Sequence, residues 1–267
     1  MRSGEQNNKV LNISDKYQRS YIHPNAKIGK NVEIGPFSTI GPYVEIGDNT
    51  KIGSHVVIKG ETTIGLSNKI YHGASLGVAV EDNKNDKNLF IGDNNIIREF
   101  VKIESGSSRG NGETKIGNNN MIMSYCYIST NCNLSNHIIM TNASSLGEEV
   151  LIEDHAVIAG MTTIKDYIRI GRVAMVGGHS NVLKDVPPYV IVDGHPAHVS
   201  GINIIGLRRN KIKPSVRKEI KKAYKILYRS DYSIKDAINK MDNQLSEVQE
   251  IEHFLRFLRN VQRGICQ

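Results

Sequence analysis

The chain has 267 residues, 39% of them hydrophobic, and its 34 Lys+Arg against 27 Asp+Glu leave a net charge of +7. That length allows one large unit or a repeat domain with an appendage, and a modest basic excess without clustered runs favours acidic partners while excluding the signature of a nucleic-acid tail. No apolar run is long enough to span a bilayer and the first twenty residues lack an apolar h-region, so a cytoplasmic protein with no signal peptide and no membrane span is expected.

Residues 1 to 20 form a polar extension. From residue 21 a six-residue period takes over. Ile stands at 22, 28, 34, 40, 46, 52, 58, 64 and 70, and Leu76 continues the series. A second small or branched residue recurs four places on, at Ala26, Val32, Ser38, Val44, Thr50, Val56, Thr62 and Ala74. The phase resumes at Ile91, Ile97 and Ile103, then runs from Ile116 to Val182. Period six fits neither an amphipathic helix nor an alternating sheet. It fits a short strand followed by a corner. Three such steps close a triangular coil, with the next turn about 4.8 Å above at strand spacing and the aliphatic pointing inward. Gly, Asn and Asp crowd the corners, where positive φ is tolerated (Gly29, Asn31, Gly47, Asp48, Asn49, Gly117, Asn118 and Asn119). The predicted fold is an all-β left-handed parallel β-helix over residues 21 to 200, with a C-terminal α-helical domain over 201 to 267.

Two polar interruptions break the phase, near 78–90 and 104–115, and read as loops thrown out of the coil. A rigid scaffold makes such loops sites of function, and a tolerated insertion is the other reading. Further on, Cys126 and Cys132 take the small inward position of successive steps and read as core thiols. His137 and His155, eighteen residues apart, read as a stacked corner pair, because two lone ligands make a poor metal site. No metal is expected. Outward-facing Val57, Ile139, Tyr167 and Ile191 predict a homotrimer that buries them side by side. Pro187 and Pro188 stop the coil. Beyond them Ser215 precedes an amphipathic run carrying Val216, Ile220, Ala223 and Leu227, and Ser233 with Asp236 and Ser246 with Gln249 form capping-box patterns. These helices read first as a cap on the open end of the coil.

The hexapeptide run, the VPPYVI and GHPA turns, and the segments GINIIGLRR, AYKILYRS and NVQRGIC together carry a resemblance. Over residues 21 to 265 the chain resembles the acyl-carrier-protein-dependent UDP-N-acetylglucosamine O-acyltransferases that begin lipid A synthesis. The resemblance implies a cytoplasmic homotrimer with active sites in clefts between neighbouring β-helices. It also implies a donor acyl-phosphopantetheine carried by acyl carrier protein, a nucleotide-sugar acceptor and no cofactor of its own. It assigns a histidine as general base on the sugar hydroxyl and a backbone N–H as oxyanion donor.

The same resemblance places the base position at Thr130 and its companion histidine at Tyr127. Further cleft histidines fall at Glu104, Glu149 and Lys165, and the oxyanion glycine falls at Glu148. Thr130, Glu148 and the pair Lys165–Asp166 are about one eighteen-residue coil apart and share a ridge. Glu149 is the nearest candidate base, or else pairs with Lys165 as a structural ion pair. His179, after Gly177 and Gly178 at the position expected for the acyl channel, is a second candidate. Substrate binding is assigned by the resemblance to Asp82, Lys84, Gly178, Asn203 and Arg209, whereas Ile205 and Asn210 replace polar family residues. Two functions follow. One is an acyltransferase whose acceptor has shifted, for instance to an amino sugar, since a neutral amine needs less help from a base. The other is a catalytically silent homologue that binds acyl carrier protein or a nucleotide sugar. A purely structural β-helix would leave the matches at Asp82, Lys84, Asn203 and Arg209 without a reason.

Overall fold

The computed structural model describes residues 19–78, 88–108 and 110–267. Its strands fall into three parallel sheets, the faces of a triangular prism. The first face holds nine strands from Tyr21–Ile22 to Asn181–Val182, and the second holds eight from Lys27–Ile28 to Arg169–Ile170. The third runs from Glu33–Ile34 up to the hairpin Val190–Gly194 with Ala197–Ile202. The repeated aliphatics stack in register, as in Ile22↔Ile40, Ile40↔Ile58 and Ile58↔Leu76, and from Ile40 onward they are almost wholly buried. The two interruptions leave that stacking intact. Leu76 pairs with Ile103 and Ile103 with Ile128, so the coil closes across both insertions.

Two side-chain ladders hold neighbouring coils together. Inside the corner between second and third faces, Thr50 Oγ1 accepts from Asn68 N (3.2 Å), Asn68 Oδ1 from Asn95 N (2.9 Å), Asn95 Oδ1 from Asn120 N (2.9 Å) and Asn120 Oδ1 from Ile138 N (2.8 Å). All four side chains are buried, and their partners supply the hydrogen bonds a buried amide requires. Outside the same corner an Asp or Asn carbonyl oxygen accepts a backbone N–H from the coil before. This recurs at Lys30 N–Asp48, Leu66 N–Asp93, Asp93 N–Asn118, Asn118 N–Asn136 and Asn136 N–Asp154, at 2.7–2.9 Å. Gly65 is required by this staple, because a Cβ there would collide with Asp93 Oδ1.

The corners differ from expectation in composition. Positive φ is adopted by Phe37, His55, Phe100, Tyr125, Met161 and Val173 as well as by Asn and Gly. Left-handed backbone costs an L-residue roughly 1–2 kcal/mol. Closure of the coil sets the turn, and the paired strands on either side offset that cost.

Four helices follow: α1 (Ile204–Arg209), α2 (Pro214–Tyr228), α3 (Ile234–Gln244) and α4 (Gln249–Arg259). Pro at the first position opens α2, and Ser233 caps α3 by accepting from Asp236 N at 3.2 Å. Ser246 does not cap α4, as the capping-box pattern predicted. Val248 holds that position, and Ser246 N donates to Glu219 across the bundle. Ile220, Ala223, Leu227, Phe254 and Leu258 form a second core with Val173 and Tyr189 of the last coils. Arg169 grips Asp185 (2.7 Å) and reaches Phe257 O of α4, locking helices to coil. No helix among the described residues is long and apolar enough to cross a membrane.

Candidate active site

The ridge foreseen from the eighteen-residue step lies at the corner between first and second faces. Strand pairing carries three columns of side chains up this corner. Lys102 pairs with Tyr127, Tyr127 with Ser145 and Ser145 with Thr163. Two residues further along each strand, Glu104, Ser129, Gly147 and Lys165 form the first column. Ser105, Thr130, Glu148 and Asp166 form the second. The third is Asn131, Glu149 and Tyr167, all at positive φ.

The second interruption folds down on this corner and is not thrown clear of the coil. Asn131 Oδ1 accepts from Ser107 N (2.9 Å) and Gly112 N (3.2 Å), and Asn131 N donates to Thr114 Oγ1 (3.0 Å). Gly110 lies so close to Asn131 and Glu149 that a Cβ would strike both. Beneath this cover Ser129, Thr130 and Asn131 are 7%, 6% and 4% exposed, and Glu104 and Ser105 are 1% exposed. Among the described residues Thr130 Oγ1 and Ser105 Oγ have no hydrogen-bond partner. A buried unpaired hydroxyl costs about 1–3 kcal/mol, which marks a place with unfilled bonding capacity.

The polar groups around these hydroxyls form a directed chain. Tyr127 O–H donates to Ser129 Oγ (3.5 Å), and Ser129 O–H donates to Glu104 Oε2 (3.4 Å). Glu104 Oε1 receives Lys102 Nζ at 2.8 Å. Burial, and then the neighbouring Glu104 carboxylate, push the Tyr127 phenol up to about 12, so it stays protonated near neutrality. Cys132 is likewise pushed up to about 12 by burial and donates to Gly147 O at 3.1 Å, the behaviour of a core thiol.

The other predicted residues are distributed as follows. Glu149 is half-buried at the corner and Lys165 is exposed, and the two form no ion pair. The backbone N–H of Glu148 is already engaged by Asp166 Oδ1 at 2.9 Å. This is the staple of the neighbouring corner repeated here, and Gly147 admits the carboxylate because a Cβ would collide with it. His179 and Gly178 are exposed on a different edge, between third and first faces, and the fold does not bring them to Thr130 within one chain. A Cβ at Gly178 would meet Gly160 O at 3.5 Å and Ala159 Cβ at 3.9 Å, ordinary van der Waals contact. Asn203 caps α1, accepting from Gly206 N (2.8 Å) while its amide donates to Val173 O (2.8 Å). Arg209 is exposed at the end of that helix. Asp82 and Lys84 lie outside the described residues. His137 and His155 stack with ring centroids 4.7 Å apart, and no group of three or more metal-ligating side chains occurs among the described residues.

Glu104 is the site residue that reading by residue type left without a role. Its signal is an acidic side chain on a column that turns out to be sealed, and buried titratable groups concentrate at functional sites.

Comparison with known proteins supplies the context. Residues 185–266 match the family model described as Udp N-acetylglucosamine O-acyltransferase, domain 2, and residues 25–60 match the bacterial transferase hexapeptide model. Over 254 residues the chain is 41% identical to the acyl-(acyl-carrier-protein)–UDP-N-acetylglucosamine O-acyltransferase of Halorhodospira halophila, covering 94% of this chain and 98% of that protein. Among solved structures, LpxA of Acinetobacter baumannii superposes with TM-score 0.91 at 36% identity, over 94% of this chain and 99% of that one. The UDP-N-acetylglucosamine acyltransferase of Bacteroides fragilis gives TM-score 0.91 at 38% identity with the same coverage.

Proposed function

The chain belongs to the UDP-N-acetylglucosamine O-acyltransferase family, and from that premise we propose that it moves an acyl group from acyl carrier protein to a nucleotide-sugar or amino-sugar acceptor at the Thr130 corner. One observation carries this reading: the similarity runs through both the coil and the helical domain, with near-complete coverage of full-length acyltransferases. The donor is acyl-phosphopantetheine on acyl carrier protein, whose acidic surface suits a chain of net charge +7. The acceptor is held by Asp82, Lys84 and Arg209, and by Glu149 at the corner. Asn203 sets the path of α1, and the exposed Gly178 edge takes the acyl chain. The reaction proceeds in the cytoplasm and needs no cofactor of the protein's own. Incubation with 3-hydroxyacyl carrier protein and a panel of hydroxyl- and amino-bearing nucleotide sugars, read by mass spectrometry, should yield an acylated product from at least one acceptor. No product from any of them would remove the reading.

A second reading, a silent homologue that binds acyl carrier protein or a nucleotide sugar, is favoured by one geometric fact. The Glu148 N–H, assigned by resemblance as oxyanion donor, is paired with a carboxylate, which repels a developing negative charge. In the same panel this reading predicts bound ligand and no product.

In either case the protein assembles as a homotrimer. The four residues that suggested it do not share a surface: Val57 is on the first face and Tyr167 on a corner. Support comes from the third face, where Ile96, Met121, Ile139, Val157, Met175 and Ile191 point outward in one paired column, each half-buried. A column that apolar and continuous belongs against another surface. Light scattering at micromolar concentration should give a trimer, and Ile139→Glu combined with Met175→Glu should give monomer. A stable wild-type monomer would defeat the proposal.

A further inference from the structure

We propose that Tyr127, Ser129 and Glu104 form a proton wire that takes the acceptor's proton during acyl transfer, with Tyr127 at the substrate end and Glu104 as the sink. The inference rests on the acyl-transfer reading above. Both hydrogens of the chain point the same way, from Tyr127 to Ser129 and from Ser129 to Glu104. Tyr127 is half-buried at the outer end, and exposure falls to 7% at Ser129 and 1% at Glu104. At 3.5 and 3.4 Å the links are long, as catalytic hydrogen bonds commonly are before substrate tightens them. Next to Ser129 and Glu104 in the chain stand Thr130 and Ser105, whose hydroxyls are buried and have no partner among the described residues. Two hydroxyls with unfilled bonding capacity beside a buried carboxylate suit a ligand that brings its own hydroxyl or amine. Among the described residues no hydroxyl of this corner donates to Glu149, which faces Gly110 and Asn131.

The step balances as follows. An acceptor hydroxyl passes its proton to Tyr127 Oη as the phenol proton moves to Ser129 Oγ and the serine proton to Glu104 Oε2, and its oxygen attacks the thioester carbonyl. An amine attacks with the lone pair it already has and gives up its proton to the same wire once the C–N bond has formed. The C–S bond then breaks, and the phosphopantetheine thiolate leaves. Reversal along the wire returns the proton to that thiolate, restoring the Glu104 carboxylate. The products are an ester or amide and a thiol. Tyr127 acts throughout as a neutral hydroxyl, in keeping with its high affinity for its proton.

The rival account is that Glu104 only pairs with Lys102. The groups facing Glu104 are Lys102 on its own strand, then Tyr127 and Cys132 from the next coil, with Glu148 and Asp166 beyond Cys132. Glu104 receives the proton as a carboxylate, so the rate falls toward acid pH. Removing Lys102 favours the protonated form and moves that acid limb to higher pH. The test is kcat against pH for wild type, Tyr127→Phe, Ser129→Ala, Glu104→Gln and Lys102→Met, with the acceptor that wild type uses best and melting curves alongside. We expect the first three substitutions to cut kcat by about 10²-fold or more, and Lys102→Met to shift the acid limb upward. Wild-type kcat in both Tyr127→Phe and Ser129→Ala, with an unmoved limb in Lys102→Met, would overturn the wire and leave the acyl-transfer reading standing. Absence of product in wild type itself would remove both.

Discussion

Supplied with 3-hydroxyacyl carrier protein and UDP-N-acetylglucosamine, the purified protein is expected to form the 3-O-acyl sugar at least about 10²-fold more slowly than a family member with histidine at the Thr130 position. Two physical terms act together. A threonine hydroxyl does not accept a proton near neutral pH, and loss of a general base costs on the order of 10²- to 10⁴-fold. The Glu148 N–H, held by Asp166 Oδ1 at 2.9 Å, must also be released before it can meet an oxyanion, and a missing donor costs about 10²- to 10³-fold in kcat. A wire through Tyr127 and Ser129 recovers part of the first term, which is why the bound is the smaller figure and not the product of the two. Side-by-side initial rates at saturating sugar decide the matter. Turnover equal to that of the histidine-bearing enzyme would show that neither change touches the chemistry.

The largest loss of stability is expected at Asn95. Its side chain, itself fully buried, accepts from Asn120 N, donates to Gly117 O at 2.9 Å and donates to Asn68 Oδ1 at 3.1 Å. Asn95→Ala leaves the Asn120 N–H buried without a partner, at about 1–3 kcal/mol, strips the part-buried Gly117 carbonyl of its amide donor, and opens a small cavity beside them. The expected cost is about 3–5 kcal/mol, a large share of the roughly 5–15 kcal/mol that holds a domain folded. Each coil contacts only its neighbours, so the damage is concentrated where the second and third groups of repeats join. Asn95→Thr is the matched control. Thr50 occupies the same column and makes both kinds of bond, accepting from Asn68 N and donating to Gly65 O at 3.1 Å. It should lose about half as much or less. Urea titration of the three proteins measures the difference, and a loss below about 1 kcal/mol for Asn95→Ala would mean that water replaces the amide.

Much of this protein was legible from its residues alone. The period of six requires a coil, because only a strand-and-corner unit returns an aliphatic to the interior at that spacing. The helix start at Ser233 was readable too, since capping is local chemistry, whereas the signal read at Ser215 falls inside a helix that Pro214 opens. The ridge of Thr130, Glu148 and Asp166 came from counting eighteen. Beyond that the count fails. Asn68 and Asn95 pair across 27 residues and Asn95 and Asn120 across 25, because each insertion lengthens the chain without adding a coil. Glu104 and Ser105 therefore stack on Ser129 and Thr130 at 25 residues, outside the arithmetic that found their neighbours. Spatial register follows hydrogen-bonded strand pairing, which is indifferent to how much chain loops out between strands. For the same reason only the folded molecule could reveal that the second insertion lies down over Thr130, that Asp166 engages the Glu148 N–H, and that Glu149 and Lys165 do not pair. Sequence position sets which residues occur on a ridge, and three-dimensional closure decides which of their polar groups meet.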